Sequence, residues 1–279
     1  MNKTDTLLLV GHGSRNTAGN LEIEQFAGQW RARHPDWRIV VCFIEFAEVL
    51  LAAGLDLAAR DSQRVIVVPL ILNAAGHVKM EIPEAIEHAR LRHPDTEFVC
   101  ARHLGACEEI LAVLKRNQRS ALAQLDYPDP HNTGVILIGR GSSDRVANGE
   151  VAKIARWLYE ESAHSLVDIA FTGITYPRLE SVVQRQATLG MRQIVLLPYY
   201  LFTGTLIERI KRQNERLRMQ YPSIHFASGD YFGFEPEIQA LLERRIDEAN
   251  GVAQARAMME CDGCKYREFA ADQGKGHQH

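Results

Sequence analysis

The chain has 279 residues, of which 46% are hydrophobic and 24% charged, and its formal net charge is −3. This length suits one large domain or two ordinary ones, and the composition is that of a protein with a sizeable core. The slightly acidic balance argues against nucleic acid or an anionic membrane as a partner. The short apolar run at residues 7–10 leads at once into Gly-His-Gly-Ser, so we expect neither a signal peptide nor a membrane span. We therefore expect a cytoplasmic protein with reduced cysteines.

The first half of the chain alternates between strand and helix patterns. Short apolar runs predict strands near residues 6–10, 38–44, 64–71 and 97–101. Apolar residues at helical spacing predict helices near residues 19–33, 47–60, 82–92 and 106–119. Unbroken apolar strands are typical of a parallel sheet that is covered on both faces.

The second half shows the same alternation after a segment rich in turn formers. Residues 127–133 contain Pro, Asp and Asn and predict a linker. Strands are predicted near residues 134–138, 167–172, 192–198 and 224–228. Helices are predicted near residues 146–162, 178–189, 204–219 and 234–248, and a polar tail follows at 251–279.

The two halves repeat one another at an offset of 128 residues. The matches are Gly11 with Gly139, Phe43 with Phe171, Arg64 with Arg192, Ile66 with Ile194, and Gly76 with Gly204. Several matches at one offset over such a distance indicate an internal duplication. We predict two similar parallel-sheet α/β domains, at residues 1–126 and 134–250, with residues 251–279 as a separate polar tail.

Three polar residues of the first copy follow three successive predicted strands. His12 follows the first, Glu45 ends the second, and His77 lies in the long loop after the third. The carboxyl ends of parallel strands meet at one edge of a sheet, where ligands bind. Two imidazoles and a carboxylate there would hold a borderline divalent metal and leave positions open for a substrate. The alternative is that Gly-His-Gly-Ser is a tight turn with a capping Ser and that the histidines are solvated.

The second copy lacks this set of ligands. Arg140, Gly173 and Thr205 occupy the positions that match His12, Glu45 and His77. Histidines that served only the fold would be expected in both copies. The comparison therefore predicts that only the first half handles metal, at the floor of a cleft between the halves.

Basic residues flank the same predicted strand ends. They are Arg15, Lys79, Arg140 and Arg145. Guanidinium and ammonium groups at a site bind carboxylates well, which predicts an acidic substrate. The alternative is ordinary solvated surface charge.

Three segments resemble the CbiX-type sirohydrochlorin chelatases in their long, two-domain form. These segments are Leu-Leu-Val-Gly-His-Gly-Ser-Arg at 8–15, Phe-Ile-Glu-Phe-Ala-Glu at 43–48, and Val-Pro-Leu-Ile-Leu-Asn-Ala-Ala-Gly-His-Val-Lys-Met-Glu-Ile-Pro at 68–83. The resemblance implies a chelatase-like fold and insertion of cobalt(II), the substrate metal, into sirohydrochlorin for anaerobic cobalamin synthesis. It also implies that His12, Glu45 and His77 bind the metal, and that a histidine accepts a pyrrole proton. Iron insertion for sirohaem is the alternative that these motifs leave open.

The polar tail carries a second set of metal-ligand types. Cys261 and Cys264 form a Met-x-Cys-x-x-Cys motif, followed by His277 and His279. The resemblance to the long CbiX-type chelatases implies an iron–sulfur cluster on such a motif, but a four-iron cluster normally takes four cysteines. The tail therefore predicts an iron–sulfur cluster or another metal, with a terminus of no role as the alternative. We expect a monomer, with a dimer formed through the tail as the alternative; the tail is also the best argument for a metallochaperone or metal-storage protein.

Overall fold

The structure of the protein, a computed structural model, describes residues 5–251, except for the side chain of His77. Each sequence repeat supplies one four-stranded parallel sheet with helices between its strands. This arrangement confirms the predicted fold class of two parallel-sheet α/β units. Within these residues no helix is both long and apolar enough to cross a bilayer.

The first sheet has the strand order β2-β1-β3-β4. Its strands are β1 (Asp5–Gly11), β2 (Arg38–Phe43), β3 (Arg64–Pro69) and β4 (Glu97–Cys100). The helices of this repeat are α1 (Thr17–Arg33), α2 (Leu51–Ala59), α3 (Ile82–Arg92) and α4 (Glu108–Leu122). The strands were predicted from their apolar runs, and every residue of β1 is buried.

The second sheet has the equivalent order β6-β5-β7-β8. Its strands are β5 (Thr133–Gly139), β6 (Leu166–Phe171), β7 (Gln193–Pro198) and β8 (His225–Ser228). The helices are α5 (Arg145–Glu160), α6 (Leu179–Thr188), α7 (Thr205–Gln220) and α8 (Pro236–Ala249). The same order in both sheets is what a duplication produces.

Two local features of the first repeat differ from the sequence prediction. Helix α2 begins at Leu51 rather than near residue 47, because the chain makes a turn there with Phe46 at φ 52°. The N–H of Phe43 donates to the carbonyl of Val49 at 3.0 Å, which closes this turn. The predicted loop after β3 also contains a π-helical turn, His77–Glu81, which runs directly into α3.

The strand register corrects one part of the repeat alignment. Leu7 pairs with Ile66 in the first sheet, whereas Val135 pairs with Val195 in the second. β7 therefore lies at an offset of 129 residues, and the matches of Arg64 with Arg192 and of Ile66 with Ile194 are each wrong by one residue. The offset returns to 128 by β8, since Glu97 pairs with Arg64 while His225 pairs with Gln193.

Contacts divide the described chain into two units that do not coincide with the sequence repeats. One unit contains residues 5–104 and 239–251, and the other contains Gly105–Ile238. Helix α4 thus belongs with the second sheet, and most of α8 belongs with the first. The predicted boundaries at 126 and 134 separate the two sequence repeats. The contacts instead place α4 of the first repeat with the second sheet and most of α8 of the second repeat with the first sheet.

Each unit has its own apolar core beside its sheet. In the first unit Leu8, Leu55 and Val67 have no exposed surface, and in the second Ile136 and Leu196 have none. Burial of such side chains contributes roughly 1.5–3 kcal/mol each relative to exposure. These rigid sheets hold the strand ends, and the loops that follow them, in fixed positions.

Candidate active site

The ends of β1 and β2 place His12 beside Glu45. The parallel ladder continues one step past each strand: the N–H of Ile44 donates to the carbonyl of Gly11 at 3.0 Å, and the N–H of Glu45 donates to the carbonyl of His12 at 3.1 Å. His12 and Glu45 are therefore neighbours across two loops. Backbone hydrogen bonds fix this relation.

A glycine makes the close approach of these loops sterically allowed. Gly13 has φ +87°, a left-handed conformation that suits glycine, and a Cβ at this position would lie 1.7 Å from the carbonyl oxygen of Glu45. The Gly-His-Gly-Ser turn is thus required for the two loops to pack. It is consistent with both the functional and the purely conformational interpretation of this motif.

The side chains of His12 and Glu45 face one another at the edge of the sheet. Nδ1 of His12 lies 3.4 Å from Oε1 of Glu45 and 3.2 Å from the carbonyl oxygen of Gly13. The two side chains are 27% and 35% exposed, so both remain accessible to a ligand. When Nδ1–H donates to the Gly13 carbonyl, Nε2 carries the lone pair that can accept a proton.

The third predicted ligand, His77, begins the π-helical turn that follows β3. β1 lies between β2 and β3 in the sheet. His12 therefore follows the central one of these three strands, and the backbone of His77 comes after its neighbour β3. Among the described side chains, which exclude that of His77, no group of three His, Cys, Asp or Glu residues is arranged to hold a metal ion. The role of His77 as a ligand stays a prediction.

The four predicted substrate-binding cations differ in exposure. Arg15, Arg140 and Arg145 are exposed, and the guanidinium of Arg15 stacks over the ring of Phe46 at 4.8 Å. Lys79, in contrast, lies within the π-helical turn and is only 5% exposed. Their role in binding carboxylates stays a prediction.

Sequence reasoning missed His103, which follows the fourth strand at the same edge of the first sheet. Its Nδ1 is inaccessible to solvent and has no hydrogen-bond partner among the described residues. Burial lowers the pKa of His103 to about 3, and the positive charges of Arg245, Arg102 and Lys79 lower it further in that order. The position of His103 in the sequence indicates this placement, since His103 follows β4 as His12 follows β1. The predicted site included only residues that follow the first three strands.

The low pKa of His103 predicts a loss of stability in mild acid. In the unfolded chain the imidazole has its ordinary pKa of 6.5, so between 6.5 and about 3 the unfolded state binds more protons than the folded state. Stability is therefore lost as the pH falls through this window, by about 2 kcal/mol at pH 5 from this residue alone. Urea unfolding at pH 7 and pH 5 measures this loss of unfolding free energy. The loss in His103→Gln is expected to be smaller than in the wild type by that amount. An equal loss in both proteins would contradict the assignment.

The second unit keeps the frame of this site without its ligands. The N–H of Gly173 donates to the carbonyl of Arg140 at 3.0 Å, as Glu45 does to His12. Gly141 has φ +85°, and a Cβ there would lie 2.3 Å from the carbonyl oxygen of Gly173. The backbone is thus the same in both units, while the imidazole and the carboxylate occur in the first.

The tail residues Cys261, Cys264, His277 and His279 lie outside the described residues. Of the remaining cysteines, Cys42 and Cys100 are buried in the first unit. Burial raises the pKa of both thiols to about 12, as expected for core cysteines.

The fold of duplicated parallel sheets is that of the chelatases, as a solved structure illustrates. The crystal structure of the sirohydrochlorin chelatase SirB from Bacillus subtilis subspecies spizizenii in complex with cobalt is similar over 91% of this chain and 98% of that one. The TM-score is 0.74 and the sequence identity 26%. The profile of the CbiX family matches residues 6–121 and 134–249. The chain belongs to the CbiX family.

Two relatives extend this similarity along almost the whole chain. The sirohydrochlorin cobaltochelatase of Priestia megaterium is 37% identical over 265 residues, which cover 94% of this chain and 84% of that protein. The sirohydrochlorin ferrochelatase of Bacillus subtilis strain 168 is 28% identical over 266 residues, which cover 95% and 98%. Of these two, the cobalt enzyme is the more similar.

Proposed function

We propose that this protein inserts cobalt(II) into sirohydrochlorin, as a chelatase of anaerobic cobalamin biosynthesis. The observation that carries the proposal is the pair of His12 and Glu45, whose side chains lie 3.4 Å apart at the carboxyl edge of a parallel sheet. Membership of the CbiX family and the 37% identity with a sirohydrochlorin cobaltochelatase support the choice of reaction and metal.

An incomplete ligand set suits this chemistry. His12 and Glu45, with His77 as the proposed third ligand, would hold the substrate metal while leaving coordination positions open. The ring nitrogens then replace the protein ligands one after another. A fully coordinated site would retain the metal instead of releasing it to the ring.

The same residues supply a proton acceptor. The ring loses its pyrrole N–H protons as the metal enters, and an imidazole with an ordinary pKa accepts a proton near neutral pH. The two candidates are His12, whose Nε2 bears the lone pair when Nδ1–H donates to the Gly13 carbonyl, and His77. Arg15, Lys79, Arg140 and Arg145 are proposed to bind the carboxylates of the ring.

The preference for cobalt over iron is the first prediction for the purified enzyme. When cobalt(II) and iron(II) compete for sirohydrochlorin without air, we expect the cobalt product to predominate, as the greater similarity to the cobalt enzyme implies. The absorption bands of the two products separate them. Predominance of the iron product would identify a sirohaem enzyme, and binding of metal without any turnover would identify a metal carrier.

The tail is proposed as a separate metal-binding segment. Cys261 and Cys264, with His277 and His279, supply ligand types for an iron–sulfur cluster or another soft metal. A cluster of four irons would require further ligands, which a second chain could provide by forming a dimer through the tail. Metal analysis of the purified full chain tests this proposal.

A further inference from the structure

The carboxyl ends of the two sheets carry opposite charges at matched positions. At an offset of 128, acids and a histidine of the first repeat are replaced by arginines in the second. The pairs are His12 and Arg140, Glu81 and Arg209, and Glu84 and Arg212. The first set suits a metal cation, whereas the second suits an anion.

Arg140 and Arg209 both lie close enough to Tyr200 for their charges to affect its pKa. Arg209 is exposed on α7, and its Nη1 donates to the carbonyl of Thr172 at 3.3 Å, just beyond β6. The hydroxyl of Thr172 lies 2.7 Å from that of Tyr200, which follows β7. Burial raises the pKa of Tyr200 to about 12, while its bond with Thr172 and the charges of Arg140 and Arg209 act in the opposite direction. Tyr200 therefore stays protonated near neutral pH, and its hydroxyl can act as a hydrogen-bond donor.

A third arginine stands at the end of the same loop. Arg178 precedes the first residue of α6, and its Nη1 is buried without a hydrogen-bond partner among the described residues. Its guanidinium stacks over the ring of Tyr176 at 4.5 Å. A buried N–H without a hydrogen-bond partner destabilises the protein. An anion that supplies the missing acceptor would therefore bind with a more favourable free energy.

The loop between β6 and α6 also presents apolar surface. Tyr176 is 74% exposed and Ile174 is 59% exposed. The nearby acids of the flanking helices already have partners: Glu180 accepts from Gln213 at 2.8 Å and Glu208 from Lys211 at 3.0 Å. An apolar platform beside several guanidiniums is complementary to a flat ring with carboxylates at its periphery.

We propose that this surface of the second unit, formed by Arg140, Arg178 and Arg209 beside Ile174 and Tyr176, binds the carboxylate-bearing tetrapyrrole. The proposal rests on the proposed function, because it assigns the binding of that reaction's tetrapyrrole substrate to the second unit, while the proposed metal ligands lie in the first. It assigns Arg178 and Arg209 to substrate binding, and it gives a role to Arg140, the arginine that stands where the first repeat has His12.

Charge reversal at Arg209 tests this assignment in the full-length protein. Arg209→Glu restores the acid that the first repeat carries at the matched position, and we expect KM for sirohydrochlorin to rise about 10-fold or more with little change in kcat. Arg209→Lys should recover most of the loss. Arg192→Glu is the matched control, since it makes the same charge change just before β7, at the opposite end of the same sheet, and should leave KM unchanged.

Direct binding separates this proposal from the proposed function. Quenching of protein fluorescence by metal-free sirohydrochlorin should report a weaker affinity for Arg209→Glu, and salt should weaken the wild type more steeply than the variant. Arg140→Glu repeats the test without altering α7. If the wild type inserts cobalt but neither reversal changes KM or affinity, this surface is not the binding site. If the wild type binds the ring at this surface but inserts no metal, the proposed function fails and the surface assignment stands.

Discussion

Replacement of His12 by Ala is expected to lower kcat for cobalt insertion by about 10²–10⁴-fold. The substitution removes both a proposed ligand of the substrate metal and the imidazole that is the candidate proton acceptor. The side chain lies beyond the end of β1 and is 27% exposed, so the melting temperature should change little. Steady-state rates with sirohydrochlorin and cobalt(II), together with thermal unfolding, measure the two effects.

His131→Ala provides the control for this experiment. His131 is an exposed loop residue of the second unit whose Nδ1 lies 3.2 Å from the hydroxyl of Ser165. Loss of this imidazole should leave the rate unchanged. His77→Ala should resemble His12→Ala if His77 is the third ligand, and a full rate in both His12 and His77 variants would refute the proposed site.

Replacement of Gly13 by Ala is expected to reduce activity about 10²-fold, although Gly13 supplies no functional side chain. The new Cβ would lie 1.7 Å from the Glu45 carbonyl oxygen and would be held at φ +87°, so the two loops must separate. A displacement of about 1 Å between reacting groups is enough for a loss of this size. The strained backbone should also cost about 1–3 kcal/mol of stability, which chemical unfolding measures.

Gly28→Ala makes the same chemical change where the structure tolerates it. Gly28 lies within α1, and a Cβ there would meet nothing within 4 Å. This variant should keep full activity and gain about 0.5–1 kcal/mol, because Ala favours a helix interior over Gly. If Gly13→Ala were as active as Gly28→Ala, the backbone of the turn would not position the His–Glu pair.

The elements of the fold were predictable because their apolar patterns are strong. α3 was predicted at its observed bounds, 82–92, and the apolar run at 64–71 contains β3. α2 was predicted too early because residues near 47 fit a helical pattern, while the left-handed Phe46 and the bond from Phe43 to Val49 are properties of the folded turn. The offset between β3 and β7 is one residue longer than elsewhere. The sequence did not reveal this, because Ile66 and Ile194 happen to be identical at the common offset of 128.

The site was predictable in part for a different reason. Strand ends of a parallel sheet share one edge, so His12 and Glu45 could be placed together from the order of the strands alone. The exposure of individual cations could not be predicted, because Lys79 lies in a π-helical turn that the sequence pattern does not predict, where it is only 5% exposed. The arginines of the second repeat stand out only when their charges are compared with those of the matched residues in the first repeat. His103 follows the fourth strand, whereas the predicted site used the ends of the first three.

Neither sequence repeat contains all the parts of a stable half. Helix α4 follows β4 in the chain, yet Ile110, Leu111 and Leu114 are buried within the unit that contains β5–β8. Most of α8 belongs with the first sheet, where Arg245 donates to the carbonyl of Leu104 at 2.7 Å. A gene cut between the repeats would leave each product with a foreign helix and without its own. Each repeat therefore depends on the other for one helix, whether or not it carries the imidazole and the carboxylate.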